Sequence, residues 1–256
     1  MSLTAMVNRM NQSKKPEVIN QLLGYDLKIV QRPDMFNFSL DSTLLADFAT
    51  VSPKVETILD LGTGCAPIPL ILSQKTQSPI IGLELQGAVY ELAKKNVALN
   101  NLENQITIIK GDIHDSVNLF KASSFDLITC NPPFFKVDPE SNLNAVAYKT
   151  IARHEVKITL ETILAVTSQL LKAKGHFVMV HRATRLNEIM VLFKQWNLAI
   201  KRMRFVYPKA DKEAVMVLID AVKQGKEGMR VLAPLIVHAQ DGYTEEILKI
   251  FNYERT

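Results

Sequence analysis

The sequence predicts a mixed α/β protein: a doubly wound, Rossmann-like sheet of seven mostly parallel strands, the last one antiparallel. Three observations predict it. Short apolar strand signals alternate with amphipathic helix signals through the central two-thirds of the 256 residues, and such alternation implies a parallel sheet covered on both faces. The last two strand signals have no helix between them, so they pair antiparallel. A glycine-rich turn directly follows the first strand, where sheets of this class open their ligand crevice.

The elements follow in order. Thr57 to Leu61 is a short buried strand ending at glycines. Ile68 to Lys75 is a helix opened by Pro67 and Pro69, which suit a first turn that has no N–H to lose. Pro79 to Leu83 is a second strand. Gln86 to Asn100 places Val89, Leu92, Ala93 and Val97 on one helical face. Ile106 to Ile109 and Phe125 to Thr129 are the third and fourth strands. Arg153 to Leu171 reads as one long helix, His176 to Val180 as the fifth strand and Arg185 to Trp196 as another helix. Ala199 to Val206 and Ala214 to Ala221 are the two late strands. The central domain thus spans 51–221. It is flanked by an N-terminal extension, 1–50, of extended pieces and a short helix. A C-terminal appendage, 222–256, packs on the same domain and carries a helix at Thr244 to Phe251. The polar stretch Phe134 to Ala152 lacks periodicity and reads as a functional loop.

Composition narrows the class. Hydrophobic residues make up 47% and charged residues 22%, ordinary globular usage. Cys65 and Cys130 are the only cysteines. They are expected to be reduced thiols of a cytoplasmic protein and not a disulfide framework. No apolar run approaches the roughly 18 to 20 residues of a membrane span, and Met1 to Lys15 lacks an apolar signal core. The five histidines do not fall at metal-ligand spacing, so no metal is expected. Net charge is +4. Between Lys194 and Lys212 six basic residues stand against one acid, with Trp196, Phe205 and Tyr207 interleaved. Such a stripe is either a solvated face or an anion-binding one.

Four strand ends carry the chemistry. The first is Asp60-Leu61-Gly62-Thr63-Gly64-Cys65-Ala66-Pro67. A dinucleotide site wants a third glycine where Pro67 stands; the departure disfavours NAD and suits a cofactor without phosphates, such as S-adenosylmethionine. Glu84 ends the second strand, placed to accept from ribose hydroxyls or simply to favour a helix N-terminus. Asp112 and Ile113 end the third. Asp112 can accept from an adenine amino group and can cap the helix that follows, neither role excluding the other, and Ile113 can stack on the ring. Asn131-Pro132-Pro133-Phe134-Phe135 ends the fourth. A planar NH2 conjugated to a ring or carbonyl is a poor nucleophile. To methylate it, an enzyme must accept both N–H hydrogens and hold the plane. The Asn131 side-chain oxygen and the Pro132 carbonyl can accept, the prolines stiffen the turn, and Phe134 offers a stacking face. Cys130 reads as a small core hydrophobe and not as a nucleophile. His154, at the start of the long helix, and Phe135 are candidates to touch substrate.

Together these residues resemble the class I S-adenosylmethionine-dependent methyltransferases with an Asn-Pro-Pro-aromatic motif. Within them the chain looks most like the bacterial valine-tRNA adenine-37 N6-methyltransferase family. The blocks Phe36 to Ala46, Arg204 to Lys209 and Pro234 to His238 extend the resemblance over nearly the whole chain. It departs at Pro67 and at Phe134, which stands where tyrosine is common. The resemblance implies that Asp60, Gly62 and Gly64 hold the methionine end, Glu84 the ribose, and Asp112 and Ile113 the adenine. It implies that Asn131 and Pro132 hold the amino group, with Phe134 on the base, and that S-adenosylhomocysteine is the product. The implied partner is tRNA, met by a monomer through Arg202, Arg204, Tyr207, Lys209 and Lys212. The alternatives are a glutamine N5-methyltransferase acting on release factors, or another rRNA or DNA amino-methyltransferase. A non-catalytic cofactor- or RNA-binding module fits worse, because the Asn131 motif is intact. The glutamine enzymes resemble a helical domain followed by the catalytic one, and the extended pieces before Thr57 do not.

Overall fold

The structure, a computed structural model, describes residues 17–22, 26–32, 40–132 and 158–251. It opens with a hairpin, β1 (Val18–Leu22) and β2 (Leu27–Gln31), then helix α1 (Leu40–Phe48). The wound core follows: β3 (Ile58–Leu61), α2 (Pro67–Ser73), β4 (Ile80–Glu84), α3 (Gly87–Leu99), β5 (Ile106–Lys110), the one-turn α4 (Ser116–Leu119) and β6 (Phe125–Cys130). Beyond the undescribed 133–157 come α5 (Leu160–Leu170), β7 (Leu171–Arg182), α6 (Leu186–Gln195), β8 (Leu198–Tyr207) and β9 (Met216–Lys223). Short strands β10 (Arg230–Val231), β11 (Leu235–Ile236), β12 (His238–Ala239) and β13 (Gly242–Tyr243) lead to α7 (Glu245–Ile250).

The seven expected strands form one sheet in the order β5-β4-β3-β6-β7-β9-β8, and β9 alone runs antiparallel. The sheet grows to nine because β10 and β11 both add, parallel, to the outer edge of β8. The C-terminal appendage is thus partly sheet. Pro234, which cannot donate to a ladder, separates the two pieces. The chain leaves β3 toward β4 and β5, then returns to β6 on the other side of β3. The carboxyl ends of β3 and β6 flank that reversal, the crevice of an open α/β sheet.

Burial patterns explain the two layers. Ile58 and Leu127 face one apolar cluster with α1, α2, α3, the hairpin and α7; Leu59, Ile128 and Phe177 face the other with α5 and α6. Both flanking segments therefore share the central domain's core. The long helix predicted from Arg153 differs. Thr159 is extended, at φ −91° and ψ 159°, and its side chain accepts from the Thr162 amide, so α5 begins at Leu160.

The hairpin is held by a device the apolar pattern does not announce. Asn96 and Asn100, one turn apart on α3, present their side-chain amides to the free edge of β2. The Val30 and Lys28 amides donate to Asn96 Oδ1 (2.6 Å) and Asn100 Oδ1 (2.8 Å). The Nδ2 groups return bonds to the Val30 and Lys28 carbonyls at 3.1 and 2.7 Å. Two asparagines thus complete a strand's hydrogen bonding in place of a neighbouring strand. Asn96 also donates to the Cys65 carbonyl at 2.9 Å, tying the glycine turn to the same scaffold. No helix among the described residues is long and apolar enough to cross a membrane.

Candidate active site

Register brings the strand ends together. Asp60 lies opposite Gly82 on one side and Thr129 on the other, and Leu61 opposite Cys130. Asn131 therefore leaves β6 level with Gly62. Asp60 is fully buried; its Oδ1 accepts from the Thr129 hydroxyl at 2.6 Å, while among the described residues no donor meets its Oδ2 in full hydrogen-bond geometry, although the Thr63 hydroxyl is near enough to lower its pKa. Burial, with Glu84 nearby, pushes the Asp60 carboxyl up to about 7. A buried carboxylate oxygen without a donor is costly and marks a place where a cationic or protic group fits.

The turn after Asp60 winds through three left-handed residues, Gly62 (φ 68°), Gly64 (φ 58°) and Ala66 (φ 66°). Glycine adopts this conformation without strain. A Cβ on Gly64 would meet nothing within 4 Å, so the backbone borders open space there. Glu84, almost buried, braces the same turn: Oε2 accepts from the Gly64 amide (3.0 Å) and Oε1 from the Gln86 amide (2.8 Å). Burial raises its pKa, against the lowering effect of these bonds. Asp112 takes the capping role, its Oδ1 accepting from the His114 amide (3.0 Å) and facing His114 Nδ1 (2.9 Å). The Ile113 side chain lies 4.0 Å from where a Gly62 Cβ would stand, over the turn.

Asn131 and Pro132 sit at the β6 terminus. Asn131 Nδ2 donates to the Ser42 hydroxyl at 3.1 Å. Among the described residues no donor reaches Asn131 Oδ1 or the Pro132 carbonyl. Phe134, Phe135 and His154 lie outside the described residues. Cys130 and Cys65 are buried, and burial raises both thiols, Cys65 to about 11, so neither is poised as a thiolate.

The basic stripe divides. Arg202 donates twice to buried Asp220 and also reaches the Phe48 carbonyl and Thr50. Arg204 binds the Ala233 carbonyl and Glu246. Both guanidiniums are engaged within the fold. Arg202 thereby straps α1, and Arg204 straps the C-terminal appendage. Tyr207 is half-buried, and its carbonyl accepts from the Val237 amide. Lys209 and Lys212 are exposed on the turn between β8 and β9, at the same edge of the sheet as Asn131. Lys212 pairs with Asp211, and Glu213 offsets the remaining charge of the turn.

Three site residues escaped the sequence reading. Thr129 holds Asp60. Ser42 holds Asn131. Gly82 makes room: a Cβ there would stand 2.9 Å from both Thr63 Oγ1 and Cγ2, so a side chain at 82 would displace the glycine turn. A lone glycine inside a strand pattern is a readable signal of such close approach; a serine in a helix before the first core strand is not.

A family model described as a methyltransferase domain matches residues 53–245. A protein of Porphyromonas gingivalis named tRNA1(Val) (adenine(37)-N6)-methyltransferase is 31% identical over 212 residues, covering 79% of this chain and 82% of that one. A Bacteroides thetaiotaomicron protein of the same name is 32% identical over 173 residues, 66% and 69% of the two chains. Among solved structures, one described as a predicted O-methyltransferase from Agrobacterium tumefaciens superimposes with a TM-score of 0.66 at 17% identity, covering 83% of this chain and 96% of that one. Geranyl diphosphate C-methyltransferase from Streptomyces coelicolor, solved with S-adenosyl-L-homocysteine, gives 0.53 at 13% identity, over 71% and 79%. These two act on different atoms, so they speak for the fold alone.

Proposed function

The chain belongs to the methyltransferase-domain family and, within it, to the tRNA1(Val) (adenine(37)-N6)-methyltransferases, and on that premise we propose that it methylates N6 of an adenine in tRNA, adenine-37 of a valine tRNA, using S-adenosylmethionine. The observation that carries this reading is the pair of acceptors, Asn131 Oδ1 and the Pro132 carbonyl, at a strand end level with the Asp60 turn. The residues fit the cofactor on two counts: the Oδ2 of Asp60, which no donor among the described residues meets in full hydrogen-bond geometry, and the open space beside Gly64. Asp60, Gly62 and Gly64 would hold its methionine end, Glu84 its ribose, and Asp112 and Ile113 its adenine. When bound, the cofactor supplies an electrophilic methyl on a sulfonium.

The remaining work falls to the chain. The N6 lone pair of adenine is delocalised into the ring. Asn131 Oδ1 and the Pro132 carbonyl accept its two N–H bonds, fix its plane and favour the positive charge that develops on nitrogen. No strong base is required, because the methylated nitrogen is acidic and loses its proton readily. Phe134 would stack on the base, which must leave the anticodon-loop stack to enter. Lys209 and Lys212 would meet phosphate, with Tyr207 beside them; Phe135 and His154 stay candidates for the substrate side.

Nucleoside mass spectrometry tests the reading. Incubation with S-adenosylmethionine is expected to raise N6-methyladenosine in unmodified valine tRNA and to leave release factor unlabelled. Methylated glutamine with unaltered tRNA is the opposite result and would overturn it.

The Asp60 carboxyl supplies a pH signature. With its value near 7, the free protein carries Asp60 protonated at pH 6. A ligand with a cationic end favours the ionised form, so binding releases a proton below pH 7. The apparent Kd for S-adenosylmethionine should therefore rise about tenfold per pH unit below 7 and level off above it. Asp60→Asn should bind weakly and without that slope. A flat calorimetric Kd between pH 5.5 and 7 in the unsubstituted protein would remove Asp60 from the methionine end.

A further inference from the structure

An asparagine amide has two orientations, related by a half-turn about its Cβ–Cγ bond. In one, the oxygen faces the substrate and accepts an N–H. In the other, an NH2 faces an NH2, and two donors oppose each other. A residue whose role is acceptance needs something that selects between them. Among the described residues, the hydrogen bond that Asn131 makes through its side chain is from Nδ2 to the Ser42 hydroxyl, at 3.1 Å. It turns the NH2 toward α1 and leaves Oδ1 on the other side.

Ser42 is well placed to be a fixed partner. It is 5% exposed, on the same buried face of α1 as Leu45 and Ala46. A hydroxyl buried there needs a hydrogen-bond partner, and the Asn131 amide is one.

The helix carrying it is anchored from outside. α1 has no basic residue in its last turn, so its terminal carbonyls depend on distant cations. Lys75 Nζ donates to the Ala46 and Asp47 carbonyls at 2.7 and 2.8 Å. Arg202 donates to the Phe48 carbonyl at 3.0 Å and lies over the Phe48 ring at 4.6 Å. Three hydrogen bonds and one ring contact, from Lys75 just past α2 and from Arg202 on β8, thus set where α1 sits, and with it the Ser42 oxygen.

We infer that Ser42 is a positioning residue that holds the Asn131 amide with its oxygen toward the substrate amino group. The inference rests on the reading of Asn131 as the amino-group acceptor. Ser42 touches no reacting atom; its hydroxyl holds the plane and place of the Asn131 amide, and because a hydroxyl both accepts and donates, the choice of face is completed by the substrate N–H, which Oδ1 alone of the two amide atoms can accept.

The test compares Ser42→Ala, Ser42→Thr and Ser42→Cys in the full chain. Ser42→Ala should lower kcat on valine tRNA at least tenfold, with the Kd for S-adenosylmethionine and the urea midpoint close to those of the unsubstituted protein. Ser42→Thr, which keeps the hydroxyl, should recover most of the rate, and Ser42→Cys, a weak acceptor, should fall between. A second measurement needs no turnover. The Asn131 side-chain 15N–H2 resonances, assigned by their absence in Asn131→Asp, should show one proton protected from exchange, and Ser42→Ala or Ser42→Cys should abolish that protection. An unchanged kcat in Ser42→Ala, or a loss confined to KM, overturns the inference. So do resonances that ignore the substitution. If the unsubstituted protein methylates no tRNA adenine, the functional reading falls by itself, and the resonances alone decide whether Ser42 orients Asn131.

Discussion

Asn131→Ala is expected to lower methyl transfer by about 10²–10³-fold or more, with S-adenosylmethionine affinity within about twofold of the unsubstituted protein. The size follows from comparison with other preorganised transition-state groups, whose removal costs that much in kcat. The selectivity follows from the layout. Cofactor affinity is expected from the Asp60 turn, Glu84 and Ile113, none of which bonds to Asn131. The substitution removes the side-chain acceptor and keeps the Pro132 carbonyl, so one of the two N–H bonds is lost and the amino group swings about the other. Asn131→Asp is the sharper comparison. It keeps an oxygen in place but sets a charge beside the Ser42 hydroxyl, and it should also be slow. Calorimetry for the cofactor and single-turnover methylation for the chemistry separate the two effects. Full activity in Asn131→Ala would refute the assigned role.

The strand ends were legible because their chemistry is written in short contiguous blocks. Asp60 to Pro67 and Asn131-Pro132 each combine a strand terminus with residues that strands exclude, glycine in one case and proline in the other. The parallel sheet of seven strands and the antiparallel last pair follow from the alternation and from one missing helix; the order of the strands across the sheet does not. What escaped depends on partners far apart in sequence. The N-terminal hairpin is two five-residue strands whose free edge is completed by Asn96 and Asn100, 66 and 72 residues away. Asn96 falls beside Ala93 and Val97 on the inward side of its helix, and a polar amide there was the available clue. Strands β10 and β11 are two residues each and exist because β8 offers them an edge. The basic stripe shows the same limit. Charge density along the chain does not say which guanidinium already faces a buried acid, and only the cross-strand register of Arg202 with Asp220 does.

That register makes Arg202 the second position of large effect, and the effect is on stability. Asp220 is 2% exposed on β9; its Oδ2 accepts from Arg202 Nε at 2.9 Å and from an NH2 group at 2.8 Å, and its Oδ1 faces His176 Nδ1 at 2.8 Å. Arg202→Met keeps an unbranched apolar stem but removes the charge, every donor and the guanidinium that lies over the Phe48 ring. Taking one partner from a largely buried pair leaves the other desolvated, a loss of up to about 3–5 kcal/mol that His176, still facing Oδ1, offsets in part; the Phe48 carbonyl of α1 also loses its cap. Urea unfolding should show the drop as a lower midpoint at constant m-value. Arg202→Met with Asp220→Leu should recover a good part of it, since an apolar pair of similar volume is often no worse than the ion pair. The same variant separates the strap from a phosphate contact. A residue bound to tRNA phosphate lowers the slope of log affinity against log salt by about one when removed. Arg202→Met, measured where it remains folded, should leave that slope unchanged, while Lys209→Glu should reduce it. A slope that falls with Arg202→Met while the urea midpoint stays put would return this arginine to the RNA surface and detach it from α1.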